Sequence, residues 1–281
     1  MPVLYTLTGV EGSMWEFQRP QCPLRLVSDP EGISGSDFKN IRSQNLQEDG
    51  ARWIDRNDEI RTLRFEVHLK GQRLSGDEAI AVWAAWRRAL GRGDREMLLE
   101  VISSGGSVRR CKPRLEEPLP KINLDQIYTG GYFREIAVCV PDESWFRGDE
   151  AHETYVPAGF SGASITNGGD IESPARFRVT GPLTGLSIGV AGDTTTFTGT
   201  TIPSGEVWII ETDPHGRYVK RESDGVNMMP TIYANANQPV FWHGLVPPHT
   251  EGAPIHIVAT GTSGVSQVEV FLPQLFVAGV A

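Results

Sequence analysis

The sequence predicts a mainly β protein of two domains. The first is an α+β sheet or split barrel holding one helix; the second is a β-sandwich of jelly-roll type. Three observations predict this. Residues 1–150 are densely charged, with 21 Lys+Arg and 24 Asp+Glu, whereas residues 151–281 carry only 5 and 11. The first part holds a single stretch with helical signals among alternating strands. The second part repeats short apolar runs between Gly and Pro turns and has no helical stretch.

The composition shift places a domain boundary between 1–150 and 151–281. A linker is expected around Gly148 to Gly162, where Gly148-Asp149-Glu150 leads into Pro157-Ala158-Gly159. The tripeptide Arg147-Gly148-Asp149 falls in this stretch and is too short to carry an adhesion function.

Within the first domain, Leu63, Phe65, Val67 and Leu69 alternate with Arg64, Glu66, His68 and Lys70, the period of a half-buried strand. Ser75-Gly76-Asp77-Glu78 reads as a capping box. Ala79, Trp83, Trp86 and Leu90 follow on one helical stripe, and Gly91 is a natural stop. Met97 to Ile102 is a strand, Ser103-Ser104-Gly105-Gly106 a turn, and Val108 to Leu115 its hairpin partner; Tyr132 to Val140 is a further strand. Two segments, Lys39 to Asp58 and Gly105 to Gly130, are long for loops of a compact domain and are expected to be interface elements ordered by a partner, the alternative being ordinary surface loops.

In the second domain, strands are expected at Ala175 to Val179, Leu186 to Val190, Thr194 to Phe197, Glu206 to Glu211, Pro239 to Trp242, Ile255 to Ala259 and Val265 to Leu272. Turns such as Gly181-Pro182, Gly192-Asp193 and Pro203-Ser204-Gly205 separate them.

Charge and composition exclude several function classes. The chain has 281 residues and a net charge of -9, which opposes binding to nucleic-acid phosphates. The local cluster Arg109, Arg110, Lys112 and Arg114 runs directly into Glu116 and Glu117. Cys22, Cys111 and Cys139 are odd in number and form no CxxC pair, so neither a disulfide framework nor a zinc site is expected. No long apolar run suggests a membrane span, and the start of the chain lacks a secretory pattern. A protein made and kept in a reducing cytoplasm, or one that joins a particle assembled there, is expected.

No catalytic motif appears: there is no GxSxG, P-loop, GxGxxG or HExxH. His152 and Glu153 lack a second spaced histidine, and His243, His249 and His256 read as solvated loop residues rather than metal ligands. No catalytic residue, cofactor site or metal site is therefore expected. Trp242 and His243, at a strand end, are the candidate carbohydrate contacts, because a sugar stacks on an aromatic face.

Three stretches resemble the distal tail proteins of siphovirus-type, long-tailed bacteriophages. The first is Leu46-Gln47-Glu48-Asp49-Gly50 followed by Ile60 to Val67, similar to an acidic-Gly loop leading into an arginine-bearing strand. The second is Tyr132 to Val140 with Pro141-Asp142-Glu143-Ser144-Trp145-Phe146. The third runs from Ile165-Thr166-Asn167-Gly168-Gly169-Asp170 through Ser173 to Pro182, then Pro203 to Thr212. Where Glu211 stands the family often has Asp.

The resemblance implies a galectin-like second domain and a structural virion protein without enzymatic activity. It implies a homohexameric ring at the distal end of the tail tube, made by residues 1–150. The partners implied are the tail tube protein, the tail-tip hub or tape measure protein, and receptor-binding or side-fibre proteins docked on residues 151–281. Specific nucleic-acid or membrane binding is not implied. A carbohydrate-binding tail protein that contacts the host wall is the alternative reading of the second domain.

Overall fold

The capping box and the apolar stripe produce the predicted helix α1, Gly76–Leu90. In this computed structural model, which describes residues 3–35, 38–43, 51–69, 74–197, 199–230 and 244–280, Ser75 caps the helix reciprocally. The Glu78 N–H donates to Ser75 Oγ at 3.4 Å, and the Ser75 N–H donates to Glu78 Oε2 at 2.9 Å. Gly91 ends the helix at φ 69°, a left-handed value that favours glycine, and its N–H donates to Arg88 O. Ala79, Trp86, Ala89 and Leu90 are buried, with Trp83 at the margin of the core. Trp86 meets Trp15 and Phe17 edge-on, with centroids 5.5 and 6.0 Å away.

Two compact units divide the chain: Met1–Arg147 with Phe276–Ala281, and Gly148–Leu275. The last residues, expected in the second domain, thus return to the first unit.

Unit 1 contains β1 Leu4–Thr8, β2 Met14–Glu16, β3 Leu24–Leu26, β4 Phe38–Ser43, β5 Arg52–Asp58, β6 Leu63–Leu69, β7 Leu98–Ile102, β8 Val108–Cys111, β9 Pro113–Leu115, α2 Leu124–Gly130, β10 Arg134–Pro141 and β11 Phe146–Arg147. One antiparallel sheet runs β2-β1-β7-β8-β11 and is closed by β24, Leu275–Phe276; the other runs β3-β6-β10-β9. The alternation read at β6 buries Leu63, Phe65, Val67 and Leu69. Each fully buried Leu or Phe contributes about 1.5–3 kcal/mol. The expected Val108–Leu115 strand breaks at Lys112. Its first part pairs β7, but β9 crosses to pair β10 in the other sheet.

Unit 2 is a sandwich of two antiparallel sheets around one apolar core. One sheet orders β12 Ala151–Tyr155, β23 Gln267–Leu272, β15 Arg176–Thr180, β19 Val207–Glu211 and β20 Tyr218–Arg221. The other orders β13 Ser164–Asn167, β22 Thr250–Thr260, β16 Leu183–Val190 and β17 Asp193–Thr196, with β18 Thr201–Ile202 also on β16. A small pair joins β14 Ser173–Pro174 to β21 Leu245–Val246. The chain is mainly β, as the sequence predicts.

The expected linker is not one. Residues 151–155 form β12, paired with β23, and Pro157–Gly162 is a 3-10 turn that buries Phe160. Gly and Pro serve tight turns here, while Tyr155 and Phe160 anchor the segment to the core. The strand expected at Pro239 to Trp242 lies outside the described residues.

Candidate assembly surfaces

The long segment Lys39 to Asp58 is not an irregular loop. Its described parts form a two-stranded sheet of β4 and β5 that pairs with no other strand among the described residues. The register pairs Phe38 with Asp58 and Asn40 with Arg56, shifts between Ile41 and Arg42, and then pairs Arg42 with Trp53. The shift leaves Ile54 as the extra residue of a bulge. Phe38 is 53% exposed, Ile41 44%, Trp53 58% and Ile54 55%. Local contacts set their directions: the Arg56 guanidinium lies 4.2 Å from the Phe38 ring centre and donates to Asp58, and the Trp53 N–H donates to Asn40 Oδ1 at 3.3 Å. A hairpin with both faces in water is marginally stable alone, and its backbone edges invite pairing.

The second expected partner-ordered segment, Gly105 to Gly130, also contains regular structure: β8, β9 and α2. Asn123 caps α2 through the Asp125 N–H, and Gly131 closes it in the left-handed region. Only Ile127 of α2 is buried, while Leu124 and Tyr128 are exposed. Upstream, Arg87 of α1 donates to Pro120 O and pairs with Glu135 of β10. Glu135 occupies an inward position of its strand. Burial raises its pKa above the ordinary glutamate value, and Arg87 opposes the rise.

The residues singled out for chemistry scatter. Trp242, His243 and the strand expected to carry them lie outside the described residues. His249 lies 3.6 Å from Asp170, and His256 Nε2 is 3.2 Å from Ser187 Oγ. His152 stacks flat on Phe271, centroids 4.3 Å apart, and lies 3.6 Å from Glu269. Among the described residues, no three His, Cys, Asp or Glu side chains converge as a metal would require. Burial pushes the thiols of Cys111 and Cys139 up to about 12, so both remain protonated at neutral pH.

The basic cluster is spent on internal structure. Arg109 donates to the carbonyls of Ala278 and Val280 and lies over the Phe276 ring. Arg110 pairs with Glu100, and Arg114 with Asp142 and Glu96. Sequence reasoning did not reveal the role of a further arginine, Arg61, which is 1% exposed. It donates to Ser144 O, Gly32 O and Val277 O and stacks on Phe146. Its only sequence signal is an arginine between Ile60 and Thr62 at the foot of a strand.

No protein-family model and no curated protein matches the sequence. Solved structures do match. The crystal structure of the Dit (gp 19.1) protein of phage SPP1 aligns over 97% of this chain and 99% of its own, with a TM-score of 0.68 at 13% identity. The fold is that of SPP1 Dit. That protein is described as a paradigm of the hub adsorption apparatus in phages that infect Gram-positive hosts. A chain of the phage P2 baseplate in its activated conformation with Ca aligns at a TM-score of 0.55 and 13% identity. Its counterpart with Sr aligns at 0.56 and 12%. Each covers 98% of both chains. The Dit-like fold spans both units, from the first strands of unit 1 through the sandwich.

Proposed function

We propose that this chain is a structural protein of a phage tail tip. Six copies close a ring at the distal end of the tail tube. Unit 1 makes the ring and meets the tube and the tip hub or tape measure protein; unit 2 offers a platform for receptor-binding or side-fibre proteins. The protein acts by assembly rather than by turnover, in the virion, after synthesis in the host cytoplasm.

The observation that carries this reading is the extent of the likeness to SPP1 Dit. It spans nearly all of both chains rather than one unit alone. The exposed β4–β5 hairpin supports the ring, since it presents apolar side chains and free backbone edges to a neighbour. A net charge of -9 suits a wall past which a genome slides, because a negative surface repels phosphate.

Negative-stain microscopy of the purified full chain tests the reading. Six-fold rings are expected. Particles that remain single copies at high concentration, and that never enter tails in a complementation assay, overturn it.

A further inference from the structure

The chain leaves unit 1 after Arg147 and returns to it at Phe276. The two crossing points are neighbours. β11 and β24 lie side by side in one sheet, and within unit 2 the Gly148 N–H donates to Gln274 O at 2.8 Å. Beyond β24 the chain runs on as a strap, and unit 1 holds each of its residues from Phe276 to Val280. The Arg109 guanidinium lies 3.8 Å from the Phe276 ring centre. Arg61 donates to Val277 O, and Arg109 donates to Ala278 O at 2.8 Å and to Val280 O at 2.9 Å. The Gly279 N–H donates to Ile33 O at 2.7 Å. Phe276 and Val280 pack against the unit 1 core. Gly279 is wedged over that core: a Cβ there would lie 2.9 Å from the Phe146 ring and 3.2 Å from the Ile33 side chain.

We infer that the strap from Phe276 to Val280 is a clasp that closes unit 1, so that unit 1 keeps its fold when unit 2 unfolds and loosens when the strap is unseated with unit 2 intact. Closing a loop costs an entropy that grows only as the logarithm of its length. An unfolded unit 2 is therefore a long but tolerable loop between β11 and β24, and the strap's hydrogen bonds and apolar contacts outweigh its closure. Removal of the strap acts directly on unit 1. β11 becomes an open sheet edge, Phe146 and Ile33 lose their cover, and the buried Arg61 loses one of its three acceptors. Arginine suits this task, because its fixed fork of donors grips backbone carbonyls whatever side chains the strap carries. For assembly, the clasp rests on the ring reading and sharpens it: unit 1 with its strap is all that a copy needs to join its neighbours, and unit 2 is carried as an insertion.

Hydrogen exchange on the full chain tests the clasp with two variants. Phe177→Asp combined with Trp208→Asp places two carboxylates in the core of unit 2, where both side chains are buried. Unit 2 peptides are expected to exchange as an unfolded chain does, while unit 1 and residues 276–280 stay as protected as in the wild type. Gly279→Val drives a branched side chain into Phe146 and Ile33 and unseats the strap. Protection is expected to be lost at residues 276–280 and across unit 1, with unit 2 unchanged. Loss in both units of either variant, or unit 1 protection that survives in Gly279→Val, overturns the clasp. Negative-stain microscopy of the same samples reads assembly: rings are expected from the unit 2 variant and none from Gly279→Val, and the reverse overturns the assembly role given to the strap. A wild-type chain without rings overturns the ring reading alone, since exchange still decides the clasp.

Discussion

In unit 1 the buried polar side chains include a cation, Arg61, and an anion, Glu135, whereas in the described part of unit 2 they are all neutral, chiefly Asn167, Gln274 and a set of Ser and Thr. The two charges serve different ends. Arg61 gathers three carbonyls from segments 29, 83 and 216 residues away, including Val277 of the returning C-terminal strap. A guanidinium has enough donors in a rigid fork to do this with one side chain. Unit 2 meets the same demand with an amide: Asn167 donates to the carbonyls of Ile171, Val246 and Pro247 and accepts from the Gly169 N–H. The comparison teaches that both units fasten distant irregular segments through a single buried polar residue, but only unit 1 does so with groups that resist desolvation. Unit 1 should therefore be the unit that responds to pH and to loss of one charge.

The largest expected effect comes from Arg61→Leu. It takes the Arg61 donor from three part-buried carbonyls, at up to about 1–3 kcal/mol each. Hydrogen exchange should show loss of protection throughout unit 1 and at Phe276–Ala281, with unit 2 peptides unchanged. Equal loss in both units would break the comparison. Asn167→Ala should cost roughly 2–3 kcal/mol through the same kind of orphaned carbonyl, and the loss should be confined to unit 2 peptides.

These residues also mark where the sequence stops being readable. Helix α1 was legible because Ser75, Glu78 and the Trp86 stripe are local signals. Strand β6 was legible because its alternation is complete over seven residues. Arg61 was not, since an isolated arginine looks solvated until segments far along the chain converge on it. The return of Phe276–Ala281 was hidden for the same reason. The β4–β5 hairpin was read as loop because neither of its faces is buried, so it shows no apolar period to find. Residues 151–162 were read as linker because Gly and Pro are counted by composition, whereas the packing of Phe160 depends on tertiary contacts. The two long segments stood out in the sequence by their length, but the regular structure they hold, β4 and β5 in one and β8, β9 and α2 in the other, did not.

Glu135 offers a smaller and more specific test. Burial raises its folded pKa above the ordinary value of 4.5, with Arg87 as the main opposing influence. A carboxyl with a raised folded pKa binds its proton more tightly in the folded state than in the unfolded chain. Its contribution to stability is therefore fully present below 4.5 and is lost as pH rises through the raised value. Unit 1 should lose stability across that window, opposite to the usual salt-bridged carboxylate. Glu135→Gln should flatten the slope, since an amide of the same shape still accepts from Arg87 and does not titrate. Exchange protection of unit 1 peptides, followed against pH in both chains, reads this directly. A wild-type slope of the opposite sign would show that the pairing with Arg87 outweighs burial.

The smallest expected effect separates a cap from a core. Ser75→Ala removes the side chain that accepts from the Glu78 N–H and frees Glu78 from its reciprocal bond. Both groups are exposed, so water replaces what is lost, and the expected cost is about 1 kcal/mol. The hydrogen bonds from Ser75 hold the Glu78 carboxyl below its ordinary value. That depressed pKa contributes stability above the unfolded value and loses it as pH falls, the opposite sign to Glu135. The two glutamates, 57 positions apart, thus bend the pH profile of one unit in opposite directions. The acid-side loss should disappear in Ser75→Ala and survive in Glu135→Gln. If Ser75→Ala instead removes the loss at higher pH, the assignment of the two slopes to these two carboxyls fails.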